Sequence, residues 1–494
     1  MKEFSHEELN ALSYELPDEV EKYKQQGDFE AAEEAIGRWL QRPVAEALKV
    51  RLRLEKRLLK GLRENFPHTK EQAIALFQDQ ISDFGETDLA RLDEEGLAEW
   101  IFLDGEKHYI HNLVRNVMRM DATIRNRMHK EDPEAGEREL LREEIHRIKR
   151  EKHTSCRFRL RSSIRLKEEL FYPGIHLKAH LPLPAELHQI SDVKLLAHSD
   201  CRVSIDRPDS LYRAICFEDT LQQNQDFFAE YEYTVTADYH DFSREDYEEA
   251  VKRKNIWQAG LRESGQYAAL EELAPYLEEQ YPHIRFSPYL RALAEEITAN
   301  IGNAGKTACA SETQGTVRLF AADDALEKAF AIYDYITTHV KYSYMREYFL
   351  IPDIPQYCAR NLRGDCGVQA LLFITLCRIC GIPAKWQSGL YFGGREKVGA
   401  HDWAMFYAEP YGWLYADPSL GGSAYSDGDE ERRRFYFGNL DPFRMAANNA
   451  FAQPFANPKR FFPADPYDNQ MGELESDVRG YGSRETVTEV KRAE

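Results

Sequence analysis

The feature that most restricts how this chain folds is a change of hydrophobic period at Pro383. Gly364-Asp365 interrupts the chain before Cys366. Val368, Leu371, Leu372, Ile374, Thr375, Leu376 and Ile379 then recur at helical spacing until Gly381-Ile382-Pro383 ends the run. Beyond the proline the period becomes two. Lys385 to Phe392, Ala400 to Ala408 and Trp413 to Ala416 read as aromatic-rich strands, bounded by Gly393-Gly394 and by Glu409-Pro410-Tyr411-Gly412. A buried helix feeding short strands joined by tight turns predicts an α+β arrangement.

The same stretch carries the chemistry. A thiol is nucleophilic as thiolate, and a helix start supplies free N–H groups and a dipole that favour the anion. Cys366 falls in that first turn. His401 lies on one predicted strand and Asp417 at the end of the next. A two- or four-residue connection would turn them to opposite faces, because side chains alternate along a strand. The turn at Glu409 to Gly412 is therefore expected to be of odd length or bulged, which sets His401 opposite Ser419 and leaves Asp417 diagonal to it, within side-chain reach.

Several motifs follow one another: Gly364-Asp365-Cys366 with its helix, Gly381-Ile382-Pro383-Ala384, His401-Asp402-Trp403, and Ala416-Asp417-Pro418. This order resembles the transglutaminase-like superfamily of papain-type cysteine enzymes. Ala329 to Tyr344, with Ile332-Tyr333-Asp334-Tyr335-Ile336 ahead of Val340-Lys341-Tyr342, resembles the helix and extended approach that precede the cysteine in that family. The likeness runs from about Pro288 to Gly422. It implies a papain/transglutaminase-like catalytic core and acyl transfer from an amide through a thioester. In that chemistry Cys366 attacks the carbonyl, His401 holds the thiolate and protonates the leaving amine, and Asp417 orients the imidazole. The backbone N–H of Cys366 is the natural first oxyanion donor, with Gln356 or Tyr342 as candidates for the second. Trp386, Trp403 and Trp413 read as core aromatics, Trp403 being kept as a candidate for the substrate side. Asp402 is expected on the opposite face in a structural role. Asp417, in Asp-Pro-Ser, also fits a turn former.

Blander readings hold elsewhere. Cys377 and Cys380 form Cys-x-x-Cys deep in the helix, where a redox role is not expected. No Cys/His spacing resembles a zinc site and no Asp-rich loop a calcium site, so neither a metal nor a cofactor is called for. Gly302-Asn303-Ala304-Gly305-Lys306-Thr307 lacks the glycine spacing and preceding strand of a phosphate-binding loop and is read as loop.

At 494 residues the chain exceeds one compact domain. Four segments are expected: 1–150 helical, 151–245 a β-rich module, 246–422 the catalytic core, and 423–494 an aromatic, Pro-rich tail packing on the core. Tyr23 to Ile36 resembles one tetratricopeptide-type hairpin, without a second copy. From Cys156 the sequence alternates strictly, with Arg157, Arg159, Arg161, Arg165 and Lys167 on one side; this reads as a half-buried strand with a basic face that is solvated or paired with the acidic helices. His176–His180, Val193–Ala197, Val203–Asp206 and Phe228–Ala237 complete an antiparallel set. Gly421 to Glu431 reads as a polar loop, and Ser483 to Glu494 as frayed.

A formal charge of −20 argues against a nucleic-acid binder. The start lacks the pattern of a signal peptide, and no apolar run approaches the ~20 residues of a membrane span. Eight irregularly spaced cysteines point to reduced thiols in a cytoplasm. The expected partner is a peptide or protein substrate, with a homo-oligomer or protein partner open to the N-terminal helices. A peptide-binding scaffold that kept a papain-like core is the competing class.

Overall fold

The computed structural model describes residues 6–128, 135–264, 273–299, 301, 324–393 and 398–493. The Gly302–Gly315 loop lies outside them. By compactness the chain divides into two units: residues 1–133, 280–285 and 340–368, and residues 134–279, 286–339 and 369–494. This division does not follow the four segments read from the sequence. The stretch 340–368 makes its contacts with the N-terminal helices, and the helix Ala135–Glu151 belongs with the second unit.

The first unit is built on amphipathic helices, including Asp18–Gln25, Phe29–Leu40 and Glu46–Asn65. The first two form the expected hairpin. Gly27 turns between them at φ +77°, and a Cβ there would meet the Phe102 backbone at 2.4 Å. The sequence reading missed one feature: Trp100–Leu103 and Glu106–Tyr109 pair as a β-hairpin among the helices. Lys341–Tyr342 runs parallel to Arg363–Gly364, so Tyr342 sits beside the residue two before Cys366.

The second unit holds three sheets. The His401 and Asp417 motifs sit on one of them. Helix α1 (Cys366–Ile379) leads to β1 (Ala384–Tyr391), β2 (Gly399–Ala408), β3 (Gly412–Ala416), helix α2 (Pro418–Ser426), β4 (Phe437–Gly438) and β5 (Arg444–Asn448). The strands are antiparallel in the order β4-β3-β2-β1-β5. Ile374, Leu376 and their apolar neighbours on α1 are fully buried, and Phe373 packs edge-on against Phe406 of β2 at 5.7 Å. A helix buried on every side draws its stability from packing rather than from an amphipathic stripe. Cys377 is buried within it, with its thiol pushed well up by desolvation, which agrees with a structural role.

Where the polar loop was expected, α2 and a helix at Glu430–Phe435 form instead, started by the side chains of Asp417 and Asp429. The Asp and Gly of that stretch serve as caps and turns around short helices. The remaining two sheets are the β-rich module: Ile175–Pro182, Ala214–Leu221 and Arg202–Ile205 in one, His153–Leu166, Phe227–Asp238 and Ile190–His198 in the other. The basic face of His153–Leu166 is paired, though not with helices: Arg157 and Arg159 bridge to Glu232 and Glu230 on the adjacent strand. The C-terminus is ordered as well. Thr486–Ala493 pairs with Arg159–Leu166 along its whole length, since an open sheet edge offers the tail a full ladder of backbone partners.

Candidate active site

His401 and Asp417 are brought together as the parity argument requires. Strands β2 and β3 pair Ala408 with Gly412 and Ala404 with Ala416, so the connection is the three residues Glu409-Pro410-Tyr411. Past Ala416 strand β3 turns off into α2, leaving the β3 side of β2 unpaired at His401. There His401 Nε2 lies 2.7 Å from Asp417 Oδ2. Both side chains are out of solvent, His401 at 9% and Asp417 at 0% exposure. With Nε2 committed to the carboxylate, Nδ1 is the nitrogen left for proton exchange.

Asp417 does both things the sequence allowed. Its Oδ1 caps α2, accepting from the Leu420 N–H and the Ser419 hydroxyl at 3.0 Å each, while Oδ2 serves His401. Burial by itself would raise this carboxyl. The charges of His401 and Arg444 outweigh burial and hold it well below the usual carboxylate range.

Arg444 was not singled out in the sequence. It stands on β5 opposite Tyr391 of β1 and is 1% exposed. Its Nη1 lies 2.8 Å from Asp417 Oδ2, an ion pair rather than an aligned hydrogen bond, and its Nη2 donates to Asp441 Oδ2 at 2.8 Å. The signal was present: a lone arginine inside the aromatic, apolar run from Phe435 to Ala447 is a buried charge in search of carboxylates.

Trp403, on the same face as His401, is fully buried. Its indole N–H donates to Gln387 Oε1 at 2.6 Å, and its ring lies 5.9 Å from the His401 ring. That donor is spent on Gln387, and the Trp403 ring stands beside the histidine. Asp402 points to the other face, as expected, and accepts from Gln470; Gln470 Nε2 also donates to the His401 carbonyl at 3.0 Å. The tail thus supplies two residues around His401, Arg444 and Gln470, with β5 built into the core sheet and Glu473–Ser476 into the β module.

Cys366 belongs to the first unit and opens α1 as a half-buried residue. Asp365 caps the helix: its Oδ1 accepts from the Val368 N–H at 3.3 Å and from the Tyr348 hydroxyl. Burial pushes Asp365 up to about 6 against the pull of these hydrogen bonds. The phenol of Tyr342 is held far above its ordinary range, first by burial and then by the neighbouring Cys366 and Asp365. It therefore stays a protonated donor close to the sulfur, with the Arg119 guanidinium 4.2 Å from its ring centroid. Gln356 is half-buried on the first turn of Ile354–Asn361, a helix capped by Asp353. Among the described residues, no group of three or more His, Cys, Asp or Glu is arranged to hold a metal ion, and no helix is long and apolar enough to cross a membrane.

Residues 315–418 match the family model described as the Transglutaminase-like superfamily. A curated relative, the uncharacterized protein YebA of Bacillus subtilis (strain 168), is 26% identical over 117 residues, which are 20% of this chain and 16% of that protein; the chain spans only that small part of its length. Among solved structures, a "Putative Cysteine Protease" from Cytophaga hutchinsonii aligns over 69% of this chain and 93% of its own, at 12% identity and TM-score 0.35. The periplasmic domain of TgpA from Pseudomonas aeruginosa aligns over 56% and 92%, at 14% identity and TM-score 0.25.

Proposed function

We propose that the transglutaminase-like core of this chain is a working cysteine site that hydrolyses a peptide or side-chain amide through a thioester. The observation that carries this reading is the buried His401–Asp417 hydrogen bond, which fixes the imidazole through Nε2 and leaves Nδ1 to exchange a proton. Cys366 is the proposed nucleophile. Its place at the start of α1 sets the sulfur at the positive end of the helix dipole, which favours the thiolate, and its own backbone N–H is the proposed first oxyanion donor. Tyr342 is the proposed second donor, because its phenol stays protonated beside the thiol; Gln356 is the other candidate.

The cycle follows in balanced steps. The thiolate adds to the amide carbonyl, and the tetrahedral oxyanion collapses with cleavage of the C–N bond. The imidazolium gives its proton to the departing amine. Water then attacks the thioester, losing a proton to His401, and the acid is released with the thiol restored. Hydrolysis is preferred over transfer to an amine because Cys366 is only partly buried, and a thioester at such a residue is within reach of water. A reducing cytoplasm is the proposed compartment, consistent with seven described cysteines of which none is in a disulfide.

Mass spectrometry of peptides, Gln- and Asn-containing proteins and glycopeptides after incubation with the protein tests the reading. Hydrolysis adds water across the amide, transfer to a lysine releases ammonia and cross-links, and glycan release turns asparagine into aspartate. Cys366→Ala is expected to abolish each of these with the fold intact. Turnover that survives the substitution discards the assignment, and eight uniformly sluggish thiols would favour the scaffold reading.

A further inference from the structure

We infer that Arg444, with Asp441 behind it, is a positioning residue that sets the basicity of His401 by sharing the Asp417 oxygen that holds the imidazole. The inference rests on the reading of His401 as the proton carrier. Its basis is geometric. His401 Nε2 at 2.7 Å and Arg444 Nη1 at 2.8 Å meet the same Oδ2, and Arg444 is anchored from behind by Asp441. Asp417, Arg444 and Asp441 are each no more than 1% exposed, so water screens them poorly. Asp417, Arg444 and Asp441 carry a net charge of −1, and the set is neutral only with His401 protonated.

Two opposing effects follow. Asp417 favours the imidazolium needed to partner a thiolate. Arg444 takes up part of that negative charge, so His401 remains able to give its proton to the leaving amine instead of being locked as a cation. Of the other groups near this cluster, Asp402 lies on the opposite face of β2, where its carboxyl accepts from Gln470. The ring of Tyr391 lies 5.2 Å from that of His401. The phenols of Tyr391, Tyr436 and Tyr333 are pushed far up by burial and stay neutral. Glu137 and Arg432 act on Tyr391 and Tyr436 from farther out.

The test is the titration midpoint of His401, read by NMR of ¹³C-labelled histidine in a Cys366→Ala background so that no thiolate couples to it. Asp441→Asn keeps the acceptor for Arg444 and removes one negative charge; the midpoint is expected to fall by about half a unit. Arg444→Gln keeps a donor toward Asp417 and removes the positive charge; the midpoint is expected to rise by about one unit. Arg444→Lys returns it toward the parent value. In the Cys366 protein the basic limb of kcat/KM moves in the same directions. Midpoints for Asp441→Asn and Arg444→Gln that both coincide with the parent overturn the inference, and if Arg444→Gln does not fold, Asp441→Asn alone decides. A midpoint that moves as stated in a protein that turns over no amide would instead reject the proposed function and leave the electrostatic role standing.

Discussion

At the scale of single residues, Asp417 concentrates the most consequences in one side chain, because it caps a helix, holds a histidine and neutralises a buried arginine. Removing its charge leaves Arg444 paired with Asp441 alone and takes the charged acceptor from the His401 imidazole, and losing hydrogen bonds to a buried charged group costs about 1.5–3 kcal/mol. Asp417→Asn is expected to lower stability by roughly that amount near neutral pH. Its carboxyl is depressed in the folded state, so the stability it contributes is present above the ordinary carboxylate range and is lost on acidification. The gap between wild type and variant should therefore narrow in acid, measured by urea unfolding across a pH series. Asp365 behaves oppositely. Its carboxyl is pushed up to about 6, so the folded state binds that proton more tightly than the unfolded chain does, and stability falls as pH rises from about 4 to 6. Asp365→Asn keeps the acceptor for Val368 and Tyr348 without the charge. It should match wild type near pH 4 and exceed it by about 3 kcal/mol above pH 6; a constant difference across that window would contradict the burial argument.

At the scale of elements, the site depends on strand β5 lying close against β1. The ladder between them shifts register at Ser388/Gly389, and a Cβ on Gly389 would sit 1.9 Å from the Met445 carbonyl oxygen. Gly389→Ala must therefore separate the strand that carries Arg444 from the sheet that carries His401. The expected result is a loss of more than about 3 kcal/mol, with activity failing under conditions where the remaining protein is still folded. The helix that presents Cys366 is built differently, with Asp365 as cap and apolar contacts on every face. Its apolar spacing was plain in the sequence. The turn at Glu409–Tyr411 could be inferred only because two side chains had to share a face, whereas the β5 ladder left no periodic signal at all. Five residues, Arg444–Asn448, pair with β1, which lies far back in the chain, and only the spatial pairing shows them as a strand.

At the scale of the whole molecule, the cysteines report on the site as a set. Burial pushes the Cys216 thiol to about 12 and carries Cys358 and Cys377 well up, while Cys366 is half-exposed at a helix start. Near neutral pH the native protein should show one fast iodoacetamide site, mapped by peptide mass spectrometry to Cys366 and slowed at least tenfold by His401→Ala. The denatured chain should show eight. Fast labelling at a different cysteine would displace Cys366 as nucleophile.

By itself the sequence determined the α+β class of the core, the helix behind Cys366, the three strands after Pro383 and the shared face of His401 and Asp417, because each follows from periodicity and parity over a few neighbouring residues. It misread Gly421–Glu431 and the last residues, where local polarity hid two short capped helices and an edge strand. Tertiary structure alone decided that Trp403 spends its indole N–H on Gln387, that Gln470 returns to the His401 carbonyl, and that Arg444 and Asp441 stand behind the Asp417 carboxylate. Those contacts join residues distant in the chain, and a buried charge chooses its partner by proximity in three dimensions, which no local spacing records.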